Sequence, residues 1–338
     1  MASNPKKTLL WLQSGGCGGC SLSLLGADTP DLLTALRYAN IDLLWHPSLS
    51  EACGDEVLEL FARIRSGEQH LDMLCIEGAV LQGEGGRFHL LANQQPMADW
   101  IAALAQHAAQ VIAVGTCAAY GGISAAGENL TGATGLAYHD ATAGGLLGGA
   151  FRSRANLPVI NIAGCPTHPN WVLETLSLLA ADALDASDLD PLGRPRFYAD
   201  QLVHHGCAKN EFYEFKASAE QLGQIGCQME FLGCKGTQAH ADCHTRPWNG
   251  EGSCLSGGYP CINCTDPEFA KSNRPFFETP KMAGFPIGLP TDMPKAWFVA
   301  LSTLSKSATP KRVRDNATAD RLRTPPSLPP RKPSKGRP

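Results

Sequence analysis

The fold is decided close to the amino terminus, where residues 8–20 have the sequence TLLWLQSGGCGGC. The run Thr8–Leu12 is nearly all apolar and has the length of a buried strand. Gln13, Ser14 and the glycines after them then end the strand. Cys17 and Cys20 therefore stand in a glycine-rich loop directly after a strand, where the backbone can bend closely around a bound group.

The same unit recurs through the first half of the chain. Strands are predicted at Thr8–Leu12, Asp42–Trp45, Asp72–Ile76, Val111–Val114 and Val159–Ile162. Helices are predicted between and after them, at Asp31–Tyr38, Gly54–Ser66, Met97–Ala109 and Asn170–Ala183. Alternating strands and helices predict an α/β domain with a parallel sheet and helices on both faces.

Four cysteines of this half follow predicted strands: Cys17, Cys20, Cys117 and Cys165. Because ligands of parallel sheets bind beyond the carboxyl ends of the strands, these thiols can converge at one end of one sheet. The pattern predicts a four-thiolate metal site. Two alternatives stay open: the C-x-x-C pair could be a redox dithiol or half of a zinc site, and Cys117 and Cys165 could be small buried side chains.

From about Asp188 the helical pattern fades and cysteines become frequent. One group comprises His204, Cys207, Cys227 and Cys234, and the next comprises Cys243, Cys254, Cys261 and Cys264. A segment so rich in Gly, Pro and Cys cannot form a large apolar core, and bound metal could take the place of one. Structural zinc is the alternative for these groups, but three sets of four ligands favour three iron–sulfur cubanes.

Composition limits what else the chain could be. Its 338 residues suffice for two domains, and its net charge of −4 argues against nucleic acid as a partner. Met1–Lys7 is polar, no twin-arginine pair precedes the first apolar run, and no run approaches ~18 uninterrupted apolar residues. We therefore expect a cytoplasmic protein with no membrane anchor, in which clustered thiols bind metal rather than form disulfides.

Several motifs, in this order, resemble those of nickel–iron hydrogenase small subunits. They are Trp11-Leu12-Gln13-Ser14-Gly-Gly-Cys17-Gly-Gly-Cys20, Ile76-Glu77-Gly78-Ala79, Gly115-Thr116-Cys117-Ala118-x-Tyr120-Gly-Gly, Gly164-Cys165-Pro166 and Leu232-Gly233-Cys234-Lys235-Gly236. The resemblance extends from about Lys7 to Phe285. It implies an electron-transfer protein with three [4Fe–4S] clusters, working with a large subunit that holds the Ni–Fe(CN)₂(CO) site.

Carried over position by position, the resemblance gives each group a role. It implies that Cys17, Cys20, Cys117 and Cys165 bind the proximal cluster, that Cys243, Cys254, Cys261 and Cys264 bind the medial cluster, and that His204, Cys207, Cys227 and Cys234 bind the distal cluster. His204 is preferred to His205 because its His-x-x-Cys spacing matches the family.

Three departures from the family pattern matter. The family often has proline where this chain has Cys254, and that proline accompanies a three-iron medial cluster, so Cys254 predicts a four-iron cubane. Oxygen-tolerant relatives carry extra cysteines where Gly19 and Gly122 stand, which predicts a conventional proximal cubane here. Cys53 and Cys75 have no ligand role in the pattern, and Cys75 is expected in the core.

Glu77 lies at a predicted strand end beside the expected proximal site. The family resemblance implies that its carboxylate takes part in proton movement. The alternative is a structural acceptor for backbone amides, and both interpretations stay open at this point.

The resemblance also implies a domain plan and a role. Residues 1–186 would form a flavodoxin-like domain with the proximal cluster, 187–290 a small loop-rich cluster domain, and 291–338 a largely disordered tail. Short, leaderless small subunits resemble the regulatory, hydrogen-sensing group, in which the tail is expected to dock a histidine kinase and the heterodimers to pair. The alternatives are a functionless tail, the small subunit of a metabolic uptake enzyme or, more remotely, a structural zinc protein with a flavodoxin-like domain.

Overall fold

A five-stranded parallel sheet forms the centre of the amino-terminal half. The computed structural model describes residues 6–271, 273–282, 285–286, 288 and 294–326. The strands are β1 (Lys7–Gln13), β2 (Ile41–Trp45), β3 (Leu71–Glu77), β4 (Ala108–Val114) and β5 (Ile160–Ile162), in the order β2-β1-β3-β4-β5. Every neighbouring pair is parallel. This order is that of a flavodoxin-like sheet, so the predicted fold class is confirmed.

Helices cover the sheet and continue into the second half of the chain. They are α1 (Gly19–Leu25), α2 (Leu32–Tyr38), α3 (Asp55–Ser66), α4 (Met97–His107), α5 (Gly115–Tyr120), α6 (Pro169–Ala180), α7 (Asn210–Glu214), α8 (Lys295–Ser307) and α9 (Lys311–Ala317). Shorter elements are the helices Gly83–Gly86 and Arg196–Ala199, the 3₁₀ turns Gly122–Ala125, Ala186–Asp188 and Val203–Gly206, and three two-residue strand pairs. Those pairs join Val80–Leu81 to Ala133–Thr134, Tyr138–His139 to Thr142–Ala143, and Lys281–Met282 to Phe285–Pro286.

Alternate residues of each strand enter two separate cores. On one face, Leu9, Trp11 and Cys75 pack with residues of α2 and α6. On the other, Leu10 and Leu12 pack with residues of α3 and α4. Successive side chains of a strand point to opposite faces, so strands buried on both sides are apolar throughout. Cys75 is fully buried and its pKa is raised by that burial, which confirms its place in the core.

Two predicted helix ends were wrong, and both errors have a physical reason. The helix predicted at Met97–Ala109 ends at His107, because Ala108 is already extended and pairs with Leu71 in the sheet. The helix predicted at Asn170–Ala183 ends at Ala180 and is followed by a turn in which Asp182 has a φ of 51°. Alanine favours helices, but pairing with a neighbouring strand outweighs that preference.

The tail was predicted to be largely disordered, and its described part contradicts this. Helices α8 and α9 lie against the segment that carries the second cysteine group: Val313 and Ala317 pack with Phe212, and Phe298 packs with Tyr213 and Met229. The tail is polar in composition, but these few apolar side chains find an apolar surface to cover. Residues 327–338, which include most of the proline-rich basic end, lie outside the described residues.

Among the helices that the structure describes, none combines the length and the apolar character that a bilayer crossing requires.

Candidate metal centres

The four thiols of the first group come from three strands of the sheet. Cys17 and Cys20 follow β1, Cys117 lies in α5 directly after β4, and Cys165 follows β5. They lie close enough to influence each other: burial raises the pKa of Cys165 to about 12, and the charges of Cys117, Cys264 and Cys17 contribute. Burial likewise raises the pKa of Cys20, where the charges of Glu77, Cys117 and Cys165 add to the effect. The topology therefore brings these thiols together, as the sheet pattern predicted.

Glycine allows the backbone to approach these sulfurs. A Cβ atom on Gly115 would lie 2.5 Å from the Sγ atom of Cys20, and one on Gly122 would lie 3.1 Å from that of Cys117. Both glycines have positive φ angles, of 86° and 54°. A side chain at either position would intrude on the sulfurs and strain the backbone, so the loops depend on glycine here.

The second group lines a cavity of about 350 Å³. Its walls include His204, Cys207, Cys227 and Cys234, and also Lys209 and Tyr213. His205 is not among the lining residues, which agrees with the preference for His204. Burial raises the pKa of Cys227 to about 12, with contributions from the charges of Cys234 and Cys207. The four predicted ligands thus face one common space.

The third group lies between the other two. Burial raises the pKa of Cys243, and the charges of Cys264, Asp242 and Cys254 add to it. The Cys264 thiol accepts a hydrogen bond from the backbone N–H of Cys165 in the first group. At the other side of the third group, burial raises the pKa of Cys261, and the nearby charge of Cys234 in the second group raises that pKa further. The three groups therefore form a continuous row, with the last group in the sequence in the middle.

Backbone N–H groups point at the sulfurs in each group. Gly19 donates to the Sγ atom of Cys17 and Lys209 to that of Cys207, both at 3.4 Å. In the third group the N–H of Asn263 donates to the thiol of Cys261. Such donors stabilise negative charge on thiolate ligands and tune the potential of a bound iron–sulfur cluster, so this donor set fits clusters. Within the described ranges, no three His, Cys, Asp or Glu side chains are arranged to hold a single metal ion.

Glu77 ends β3 beside the first group and is only 3% exposed. Its Oε1 atom accepts the backbone N–H groups of Cys20 and Ser21, both at 3.0 Å. Its Oε2 atom accepts from Ser21 Oγ at 2.5 Å, Gln13 Nε2 at 3.1 Å and Trp11 Nε1 at 3.2 Å. The carboxylate thus caps the first turn of α1, whose own N-cap residue is a glycine. This is the arrangement of the structural acceptor, and the proton relay stays a prediction.

Two residues of these sites were not found from the sequence. The Nζ atom of Lys209 donates to the carbonyl oxygens of Gln224, Ile225 and Gly226, at 2.7, 2.9 and 3.3 Å. It thereby joins the loop after Cys207 to the loop before Cys227. His46 is buried and its Nε2 atom lies 3.3 Å from Ser21 Oγ, behind Glu77. Neither residue belongs to a motif, and the only local signal for Lys209 is its place two residues after Cys207, a predicted ligand.

Comparison with protein families gives two matches along the chain. Residues 17–179 match the model of the NADH ubiquinone oxidoreductase 20 kDa subunit, and residues 199–277 match that of the carboxy-terminal part of NiFe/NiFeSe hydrogenase small subunits. The F420 non-reducing hydrogenase II small subunit of Methanosarcina mazei is 35% identical, over 80% of this chain and 75% of its own length. The periplasmic [NiFeSe] hydrogenase small subunit of Desulfomicrobium baculatum is 32% identical, over 80% of this chain and 87% of its own length.

Solved structures agree with these matches. The actinobacterial-type NiFe-hydrogenase from Ralstonia eutropha H16 has a chain with a TM-score of 0.73 and 30% identity, covering 92% of this chain and 93% of its own. A chain of the Ni-Fe-Se hydrogenase from Desulfomicrobium baculatum has a TM-score of 0.70 and 31% identity, and the match covers 81% of this chain and 99% of that one. The protein therefore belongs to the small-subunit family of nickel–iron hydrogenases, which carry iron–sulfur clusters and act with a large subunit that holds the nickel–iron site.

Proposed function

We propose that this chain conducts electrons from H₂ oxidation in the large subunit through three [4Fe–4S] clusters, held by the three groups in the row described above. The observation that carries the proposal is the continuity of that row. Cys165 and Cys264 join the first group to the third, and Cys261 and Cys234 join the third to the second. When bound, the clusters would supply one-electron transfer.

The chain's own residues do the rest. The thiols, with His204, would bind the irons, and backbone N–H groups would stabilise the charge on the sulfurs. Lys209 holds two loops of the second group together through its three carbonyl contacts. Cys254 gives the third group four thiols, which supports a four-iron medial cluster.

The test is an anaerobic preparation of the chain with its large subunit, followed by visible absorbance and EPR before and after H₂ is added. We expect iron–sulfur absorbance that bleaches under H₂ and no three-iron signal in the oxidised sample. A three-iron signal would contradict the four-iron medial cluster alone. Bound zinc without iron or sulfide would contradict the electron-transfer function itself.

The proposal includes a regulatory role: a cytoplasmic hydrogen sensor, assembled as a dimer of heterodimers, whose tail docks a histidine kinase. Its support is the resemblance of the motifs to the sensing group, together with apolar side chains that α8 exposes. Trp297 is 64% exposed and Leu304 is also 64% exposed, although the helix packs on the protein through Phe298. Exposed apolar groups on a docked helix are typical of a surface for another protein.

The sensing role is tested with the purified kinase and the complete heterodimer. We expect kinase binding and an H₂-dependent change in autophosphorylation, both lost in Trp297→Ala/Leu304→Ala. The double variant Leu22→Ala/Leu33→Ala, at exposed positions of the sheet domain, is the control for docking at the tail. Fast turnover with a soluble acceptor and no kinase response would favour the metabolic uptake enzyme instead.

A further inference from the structure

Asp242 is a buried carboxylate directly beside the third cysteine group. It precedes Cys243 in the chain, and its side chain is only 6% exposed. Its Oδ1 atom accepts the indole N–H of Trp171 at 2.7 Å, and its Oδ2 atom accepts the Nε–H of Arg246 at 2.9 Å. The carboxylate is therefore held in one orientation next to a predicted medial ligand, where little water screens its charge.

The negative charge of Asp242 is only partly balanced by its cationic partner. The Arg246 guanidinium also donates to a second carboxylate, that of Glu174, through its Nη1 atom. One cation thus serves two anions, so the three side chains together carry one net negative charge. The side chain of Arg246 is 29% exposed and that of Glu174 is 38% exposed, so water screens both charges more than it screens Asp242. The least screened of the three charges is therefore the carboxylate next to Cys243.

The partners of Asp242 belong to the sheet domain. Trp171 and Glu174 both lie in α6, whereas Asp242 lies in the loop that carries Cys243. The indole of Trp171 is fully buried and stacks on the ring of Tyr198, with 4.2 Å between the ring centroids. The carboxylate is therefore fixed against a packed helix, and its place relative to the third group does not depend on the loop alone.

Such a charge affects how easily a group bound nearby takes up an electron. Burial is the main cause of the raised pKa of Cys243, and the nearby charges of Cys264 and Asp242 raise that pKa further, because they disfavour another negative charge at this sulfur. An iron–sulfur cluster also becomes more negative when it is reduced. A fixed negative charge beside it therefore opposes reduction and lowers the reduction potential.

We infer that the Asp242 carboxylate lowers the reduction potential of the cluster proposed at the third group, and that the Arg246 guanidinium limits this decrease. The inference rests on the proposed function, since it requires an iron–sulfur cluster at this group. A lower potential makes the middle of the row a weaker trap for electrons. Electrons that arrive from the first group would then pass on to the second group rather than remain in the third.

The test is an anaerobic redox titration of the complete heterodimer, followed by EPR, with Asp242→Asn as the first variant. The amide has nearly the same size and can still accept the indole N–H of Trp171, but it carries no charge. We expect the midpoint potential of the medial cluster to rise by about 59 mV or more, which is a tenfold increase in the ratio of reduced to oxidised cluster at a fixed potential. The clusters proposed at the other two groups are internal references and should shift less, because electrostatic effects decline with distance.

Arg246 provides a second measurement with the opposite sign. Arg246→Gln removes the positive charge and leaves Asp242 less balanced, so the potential of the medial cluster should fall, by less than Asp242→Asn raises it because Arg246 is partly exposed. Arg246→Lys keeps the charge and should restore the potential. Asp99→Asn, at an exposed position of α4 on the opposite face of the sheet, is the matched control for the loss of a carboxylate and should leave the potential unchanged. A purely structural role of these contacts would not produce shifts of opposite sign.

An unchanged potential in Asp242→Asn, or shifts of the same sign in Asp242→Asn and Arg246→Gln, would overturn the inference. If Asp242→Asn does not retain its clusters, Arg246→Gln decides: a decrease in potential supports the inference, and an increase or no change overturns it. If only the inference fails, the unaltered protein still shows iron–sulfur signals that H₂ reduces. If the proposed function fails, the unaltered heterodimer has no iron–sulfur signal to titrate, and the inference fails with it.

Discussion

The carboxylate of Glu77 offers the sharpest test of how the first cysteine group is held. In Glu77→Gln one carboxylate oxygen becomes an NH₂ group, which cannot accept a hydrogen bond. If this group takes the Oε1 position, the N–H groups of Cys20 and Ser21 lose their acceptor. If it takes the Oε2 position, the donors of Trp11 and Gln13 lose theirs, whereas the Ser21 hydroxyl can rotate and accept from the new NH₂ group. Either way, two donors in a buried site are left without this partner.

The expected cost follows from those two donors. A buried donor without an acceptor costs about 1–3 kcal/mol, so the variant should lose about 2–6 kcal/mol of stability. At ~2.1 cal/mol/K of unfolding entropy per residue, a chain of 338 residues should unfold roughly 3–8 °C lower. Because Cys20 lies in the turn that Glu77 caps, the cluster proposed at the first group should be released in the same temperature range.

The assay is thermal unfolding of the complete heterodimer under anaerobic conditions, with iron–sulfur absorbance followed alongside. Glu59→Gln, at an exposed position of α3, is the control for the same chemical change and should unfold like the unaltered protein. Ser21→Ala, which removes one of the five donors, should show a smaller decrease than Glu77→Gln. A Glu77→Gln protein with normal stability and clusters, but with slow turnover and an enlarged solvent isotope effect, would refute the structural argument and support the proton relay.

Three further predictions concern the other groups and pH. Cys254→Ser should convert the proposed four-iron medial cluster into a three-iron cluster, seen as a new EPR signal in the oxidised protein. Cys53→Ser is the control, and no new signal would argue against Cys254 as a ligand. Lys209→Met removes three hydrogen bonds to carbonyl oxygens, so it should lower the free energy of unfolding by about 2–4 kcal/mol and speed cluster loss on heating. Lys209→Arg should give an intermediate result. Equal behaviour of the unaltered protein and the two variants would show that these loop contacts are unimportant. Burial lowers the pKa of His168, so the folded state favours the neutral imidazole. Stability is therefore full above the pKa of about 6.5 in the unfolded chain, and it declines as pH falls below that value because the unfolded chain then binds the proton more readily. His168→Asn retains an acceptor for the N–H of Asn170 and should flatten this decline, measured as unfolding midpoints between about pH 7 and 5; an unchanged slope would assign the decline to other groups.

Much of the first domain was predictable because its strands carry a local signal. Each of the five predicted strands appears in the sheet, since a strand buried on both faces must be apolar at successive positions. The cysteines after β1, β4 and β5 then had to meet, because parallel strands end at the same edge. Helix ends were predicted less well: whether Ala108 is helical or extended depends on its pairing with Leu71, which no local pattern records.

The second half shows the limit of local patterns more clearly. Its predicted ligands were visible as Cys and His spacings, but the position of the third group between the other two depends on contacts such as that of Cys165 with Cys264. The packing of the tail was missed for a similar reason. Val313 and Ala317 are too few to suggest a core by themselves, and they become buried only because Phe212 and its neighbours present an apolar surface.

The sequence by itself therefore determined the parallel sheet, the edge at which the first thiols meet and the identity of the predicted ligands. These depend on burial patterns and side-chain chemistry, which are properties of residues close together in the chain. The tertiary structure alone decided the order of the three groups, the capping of α1 by Glu77, the loop contacts of Lys209 and the packing of the tail helices. Each of these depends on a contact between residues far apart in the chain, and such contacts exist only once the backbone has folded.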